Sequence, residues 1–317
     1  MSGDPLPSWN EGKVKDSIID FVARTSTAGS SDYVPVNERI AVFDNDGTLW
    51  CEMPVPVPAF FVNDRLKSLA SLHPEWQRTE PFKSMLAGDI KTAMATGIKG
   101  LAELVMVTHA GMTTDEFVLI VRSWLAKARH PKLNRPFTES IYQPMLEVLA
   151  LLRARGYTTF IVSGSGVEFM RVFAEEVYGV PSHQVIGSSI KTHFEMHAGR
   201  PVLTGESVID FFDDKTGKPV NINKHIGRRP IACFGNSDGD REMLLWTTAG
   251  RPDQRPSFGL IVHHTDADRE FAYDRQHVSG QLNKVLDEVE THGWFLADMK
   301  NDWKTVFPAA ARTAQVH

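Results

Sequence analysis

Ile40-Ala41-Val42-Phe43-Asp44-Asn45-Asp46-Gly47-Thr48-Leu49 is the stretch on which the fold turns. Four consecutive apolar residues without alternation read as a buried strand of a parallel sheet. That strand delivers Asp44 and Asp46 onto a glycine turn. Positions i and i+2 of an extended chain point to the same side, so both carboxylates can act on one substrate. Two like charges that close are costly unless a cation or a shared proton relieves them. The same residues also suit an ordinary Asp-rich turn, so this segment alone leaves both readings open.

Upstream, Val14, Ile18, Phe21 and Val22 follow helical spacing, and a Ser/Thr/Gly-rich linker runs from Thr25 to Tyr33. Downstream, Pro54, Pro56 and Pro58 interrupt regular structure. Helical patterns then run from about Phe60 to His130. One opens on the capping box Thr113-Thr-Asp-Glu116 and carries Phe117, Ile120, Val121, Trp124 and Ala128.

From Gln143 the texture alternates. A helix over Pro144–Arg155 precedes a strand over Thr158–Val162 that ends in Ser163-Gly164-Ser165-Gly166. One helix is expected from Val167 to Gly179, then a short strand over Gln184–Ser188. A separate small hairpin is expected from Thr192–Met196 and Pro201–Thr204. Pro230–Phe234 leads into Gly235-Asn236-Ser237-Asp238-Gly239-Asp240, and Phe258–Val262 is the last strand candidate. A helix over Leu282–Val289 and a tail with Trp294, Phe295, Trp303 and Phe307, read as packing against the sheet, close the chain.

Strands alternating with helices predict an α/β fold with an open parallel sheet, whose ligands bind outside the strands' carboxyl ends. Residues 1–50 and 135–317 form the expected α/β core, with 51–134 a helical insert. Three polar clusters fall at such strand ends: Asp44/Asp46, Ser163/Ser165 and Asn236 to Asp240.

The 317 residues are ample for a core, and 42% apolar with 23% charged residues is ordinary for a globular protein. A net charge of −5 without a basic run gives no electrostatic support for nucleic-acid binding. The two cysteines, Cys51 and Cys233, do not suggest a disulfide framework. No stretch approaches the ~18 apolar residues of a membrane span. The N-terminus lacks a basic, apolar leader, so the cytoplasm is the expected location; a periplasmic one is compatible with a leader already removed. Oligomeric state is not legible.

Asp44-Asn45-Asp46-Gly47-Thr48 resembles the first motif, D-x-D-G-T, of the haloacid dehalogenase-like (HAD) phosphohydrolases. The resemblance implies a Rossmann-like core and an aspartyl-phosphate on Asp44. Asp46 would protonate the leaving alkoxide and then activate water. Phe160-Ile-Val-Ser163 resembles the second motif, which implies a hydrogen bond from Ser163 to a phosphoryl oxygen; Thr48 and Gly164 are placed beside it as substrate-binding candidates. A Ser-Gly-Ser turn or cap is the plainer reading of that segment.

The third motif is a charge-screening lysine. Lys218, followed by Pro219, resembles it better than Lys215 or Lys224, although a solvated charged loop is the plainer reading. Asp214-Lys-Thr-Gly also echoes the phosphorylation loop of P-type ATPases, read as coincidence. Gly235 to Asp240 resembles the acidic fourth motif, with Asn236 where an aspartate is usual. The resemblance therefore implies Mg²⁺ held by Asp44, the Asn45 carbonyl flanked by Asp46, and Asn236 or Asp238, with Asp240 farther out or bound through water.

In the family, the insertion point after the first motif houses a helical (C1-type) cap, as in phosphoserine-phosphatase-like members. Trp50, Glu52 and Arg65 become substrate-selecting candidates, with a small phosphate ester as the expected substrate and esters of an amino acid or amino alcohol the preferred class. A solvated loop acid is the alternative for Glu52. His263 and His264 read as strand-end polarity, since neighbours on a strand face opposite ways.

Two rivals remain. Gly235-Asn-Ser237-Asp-Gly239 fits the nucleophile elbow of a metal-free serine esterase, completed by Asp266 or Asp268 and His277 or His292. Asn236 also admits a catalytically impaired binding protein.

Overall fold

The computed structural model describes residues 3–277 and 279–309. Strand β1 (Ile40–Phe43) is buried along its whole length, as its unbroken apolar run requires. Six further strands follow: β2 (Thr158–Gly166), β3 (Val185–His197), β4 (Arg200–Phe211), β5 (Ala232–Gly235), β6 (Phe258–His263) and β7 (Phe295–Asp298). Among the described residues they form one sheet in the order β4-β3-β2-β1-β5-β6-β7. All pairs are parallel except β3 with β4.

β1 lies between β2 and β5, pairing Phe43 with Ile161 on one side and with Phe234 on the other. The chain's later strands build outward in both directions from it. This is the topological switch point at which open α/β sheets bind ligands. Asp44 leaves the sheet there, its amide donating to the Phe234 carbonyl at 2.9 Å. Below it the rings of Phe43 and Phe234 stack with centroids 4.3 Å apart.

Three expectations are corrected. The strand at 184–188 and the hairpin beyond it are one element, because β3 runs unbroken from Val185 to His197. Its alternating residues meet no breaker until Ala198-Gly199, whose φ values of 49° and 78° make a two-residue turn into β4. The expected helix to Gly179 is two, Val167–Arg171 and Ala174–Tyr178. Phe173 leaves helical geometry between them, and its ring stacks on Trp50 at 4.6 Å. Finally, Phe295–Asp298 is not only packing but an edge strand, β7.

Between β1 and β2 the chain is helical, with principal helices Val57–Leu69, Gly97–His109 and Thr114–Leu125. The last starts with the expected capping box, Thr113 and Glu116 bonding each other's amides. This block meets the β3–β4 hairpin through reciprocal bonds, Gly111 N to Gly205 O and Gly205 N to Met112 O, both 3.0 Å. Both cysteines are buried and unbridged. Among the described residues no helix is long and apolar enough to cross a membrane.

Candidate active site

The loop after β1 is a tight turn. The Asn45 carbonyl accepts the amides of Thr48, Leu49 and Trp50 at 3.2, 2.8 and 3.3 Å. Gly47 makes the turn at φ 76°, where a Cβ would lie 2.1 Å from the Asn236 amide nitrogen. Only glycine fits such a position. His264 braces the turn from β6, its Nε2 2.8 Å from the Gly47 carbonyl and its Nδ1 3.2 Å from Glu270. His263 reaches instead toward Asp274 at 3.8 Å, so the two histidines do face opposite ways.

Asp44 and Asp46 are presented to one space but held differently. Asp44 Oδ1 accepts from Lys218 Nζ at 2.7 Å, and the same ammonium donates to Asp240 at 2.6 Å. Burial raises Asp44 to about 8, with Asp240 and Asp46 adding repulsion that Lys218 opposes. Burial disfavours the Lys218 ammonium, but the two carboxylates outweigh it and raise its pKa. Lys218 therefore stays charged.

Among the described residues, no ammonium lies at hydrogen-bond distance from Asp46. Its Oδ1 accepts from Trp50 Nε1 at 2.8 Å, and its Oδ2 from Ser165 Oγ at 2.6 Å and Ser163 Oγ at 3.5 Å. Burial raises its pKa against those bonds. Burial pushes both carboxylates toward the proton-bearing form, and they differ in their partners: a cation stands against Asp44, hydroxyls and an indole against Asp46.

A cavity of about 830 Å³ opens above them, lined by Asp44, Asp46, Ser163, Ser165, Asp214 and Lys218 among others. Register slips between β2 and β3 from Ser163 to Gly166, and this irregularity at the strand end turns Ser163, Gly164 and Ser165 to the cavity.

Of the three candidate lysines, Lys218 on helix Gly217–Ile226 meets Asp44. Lys215 sits in the preceding loop, its amide on the Gly239 carbonyl at 3.1 Å. Lys224 reaches the cavity wall over the Phe211 ring at 5.9 Å.

Several expected ligands are committed elsewhere. Asp238 accepts the amides of Asn283, Lys284 and Val285 at 3.0, 3.1 and 3.0 Å, capping helix Lys284–His292. Asp240 gives one oxygen to Lys218 and the other to the amides of Asn236 and Ser237 at 2.9 and 3.1 Å. Asn236 accepts from the Thr48 hydroxyl at 3.1 Å and donates to Glu52 at 2.8 Å. Asn45 spends its carbonyl on the turn, as described.

The substrate-binding set changes similarly. Thr48 and Trp50 are fully buried and support Asn236 and Asp46 rather than lining the cavity. Arg65 lines a different surface depression, with Trp124 and Lys127. Gly164 and Glu52 do line the cavity. Glu52 is no solvated acid: it is buried, and the same oxygen accepts from Asn236 and from the Tyr273 hydroxyl at 2.9 Å.

Asp214 and Tyr273 carry weight that sequence reasoning missed. Asp214 stood in plain view between Asp213 and Lys215, yet nothing local tells which member of an acidic run turns inward. Tyr273 has no sequence signal at all.

Among the described residues no three His, Cys, Asp or Glu side chains converge as a metal cage. Mg²⁺ does not need one, since it is bound by one or two carboxylates with water and phosphate oxygens completing six positions. Asp44 and Asp214 both line the cavity, and Asp214 is close enough to feel Lys218 and Asp240. Asp44 and Asp214, hard oxygen donors lining the cavity beside Lys218, have the chemistry that such a cation takes.

The esterase triad is not assembled. Ser237 Oγ accepts from the Gly239 amide at 3.1 Å and lies 3.4 Å from Asp240. Asp266 pairs with Arg269, while Asp268 donates its amide to Asp266 at 3.1 Å. His277 Nδ1 lies 2.9 Å from the Ser279 carbonyl, and His292 stacks on Trp294 at 4.7 Å.

The family model of haloacid dehalogenase-like hydrolases matches residues 41–245. No curated protein matches the chain. Among solved structures, a conserved, functionally unknown protein from Anaerococcus prevotii DSM 20548 is similar with a TM-score of 0.53 at 16% identity, covering 83% of this chain and 89% of that one. A protein with unknown function from Bordetella pertussis Tohama I gives 0.51 at 14%, covering 83% and 99%. A phosphoserine phosphohydrolase-like protein from Francisella tularensis subsp. tularensis SCHU S4 gives 0.41 at 14%, covering 80% and 98%. The first two likenesses are likenesses of fold.

Proposed function

Because the chain belongs to the haloacid dehalogenase-like hydrolases, we propose that it is a Mg²⁺-dependent phosphomonoesterase working through an aspartyl-phosphate on Asp44. The observation that carries this reading is the unequal pair: Asp44 against Lys218 at 2.7 Å, and Asp46 held by Ser165 and Trp50 at 2.6 and 2.8 Å. Asp46 also favours phosphate esters over carbon–halogen bonds. A halide leaves without a proton, whereas an alkoxide needs one.

Asp44 attacks phosphorus, forming the acyl-phosphate bond as the ester P–O bond breaks. Asp46 gives its proton to the departing oxygen, a service worth about 10²–10⁴-fold. The alcohol leaves. Asp46, now ionised, takes a proton from water as that water attacks phosphorus, and Asp44 is released with inorganic phosphate. Lys218 and the Ser163 hydroxyl offset charge on the phosphoryl oxygens. Mg²⁺, when bound beside Asp44 and Asp214, would supply further neutralisation of that charge.

Residues 51–134 serve in this reading as a lid that shapes the substrate cavity and excludes water. Asp44→Asn should abolish p-nitrophenyl phosphate hydrolysis with the circular dichroism spectrum unchanged. Retained activity would remove Asp44 as nucleophile. Ester binding without turnover in the unmutated protein would identify a binding protein instead.

A further inference from the structure

The cavity above Asp44, at about 830 Å³, lies near the top of the ~300–1,000 Å³ range that encloses drug-sized ligands. A phosphoryl group occupies only its floor. The wall rising from that floor is built by Ala59, Phe61 and Val62 of helix Val57–Leu69, with Met85, Val105 and Phe169 facing the same space.

His109 lines the same space. Its Nδ1 lies 2.8 Å from the Val105 carbonyl, and burial lowers it to about 4, so the imidazole is neutral. Phe61 meets the same ring edge-on at 6.1 Å.

The charged lining residues sit elsewhere. Lys191, Asp210, Lys224 and His225 are exposed at the mouth. Arg171 is paired with Glu168 at 3.0 Å. Glu52 is the acid an ammonium would meet near the entry to the helical block; its Oε1 accepts from both Asn236 and Tyr273, which leaves Oε2 for a ligand. An ammonium set against the Ala59, Phe61, Val62, Met85, Val105 and Phe169 side chains finds no counter-charge among them, which is a costly arrangement. Hydrocarbon placed there is favoured.

We infer that the substrate is a phosphate monoester of an apolar alcohol, alkyl or aryl, rather than of an amino acid or amino alcohol. The inference rests on the phosphatase reading of the same site. The alcohol's carbon skeleton lies along the Ala59–Phe61–Val62 wall while its phosphate sits between Asp44 and Ser163.

The test compares n-alkyl phosphates from methyl to octyl, 1-naphthyl phosphate, phospho-L-serine and phosphoethanolamine for kcat/KM, using the full chain with Mg²⁺. Binding of the matching n-alkyl phosphonates is measured by calorimetry. Each buried methylene should raise kcat/KM and phosphonate affinity about three- to fourfold until the cavity is filled, with both amine-bearing esters below propyl phosphate. Ala59→Phe, which shortens the wall, should depress octyl phosphate turnover more than that of methyl phosphate.

Hydrolysis with a flat series, or with phospho-L-serine or phosphoethanolamine preferred, overturns the inference and leaves the phosphatase reading standing. Graded phosphonate binding without hydrolysis of any ester overturns the phosphatase reading and supports the apolar ligand. Neither hydrolysis nor graded binding overturns both.

Discussion

The two aspartates two positions apart are nearly identical in sequence context and opposite in environment. Lys218 stands against one, and two hydroxyls with an indole surround the other. The pair itself was legible because it is local: strand, glycine turn and i, i+2 geometry lie within ten residues. The partners of Thr48, Trp50 and Asn236 were not legible, since those bonds are set by which loops the sheet brings together. Glu52 shows the same limit, and it gives a pH signature. Burial, then repulsion from Asp46, raises its carboxyl from the ordinary 4.5 to about 8. Between those values the folded protein holds a proton that the unfolded chain has lost, so stability is full below that window and falls as pH rises through it. Glu52→Gln keeps the shape and an acceptor for Asn236 and Tyr273 but cannot ionise. In chelator-containing buffer its melting temperature should gain on the wild type from the bottom to the top of the window, corresponding to a few kcal/mol at most. An offset constant across that range would show that folded Glu52 already ionises normally.

At the scale of elements, most strands and helices were readable from periodicity and punctuation, and the misses share one cause. β3 reads as two pieces because its outer half alternates polar and apolar residues and is exposed, so the hairpin looks independent of the buried inner half. Phe173 interrupts an apparently continuous helix because a tertiary contact with Trp50 competes with local propensity. The fourth-motif loop is the clearest case. Its sequence offers Asp238 as an alternative ligand to Asn236 with Asp240 farther out, yet Asp238 caps a helix more than forty residues later in the chain and Asp240 holds Lys218. Asp238→Ala should therefore cost about 0.5–2 kcal/mol of stability, the usual loss for a helix cap, and leave the Mg²⁺ concentration for half-maximal activity unchanged. Thermal melts and a Mg²⁺ titration decide it: a large rightward shift in the titration would return Asp238 to the metal.

Over the whole molecule, the sheet order places β1 between β2 and β5, which brings Asp44, Ser163 and the Asn236–Asp240 loop to one edge, with Lys218 joining from the helix beneath. That convergence was anticipated from three polar strand ends. A pocket shaped by the helical insert is expected too, but not the residues of its wall, because the apolar residues of those helices read simply as core. The central claim is covalent, that Asp44 carries the phosphoryl group between two half-reactions. The most direct measurement is mass spectrometry of acid-quenched Asp46→Asn protein after mixing with p-nitrophenyl phosphate and Mg²⁺. Its good leaving group needs little protonation, while loss of the Asp46 base slows hydrolysis of the intermediate. The quenched protein should carry one phosphoryl group on the peptide containing Asp44, removable by hydroxylamine and absent when Asp44 is also replaced by Asn. Unmodified Asp44 during continuing turnover, or a phosphoryl group on any other residue, would contradict it.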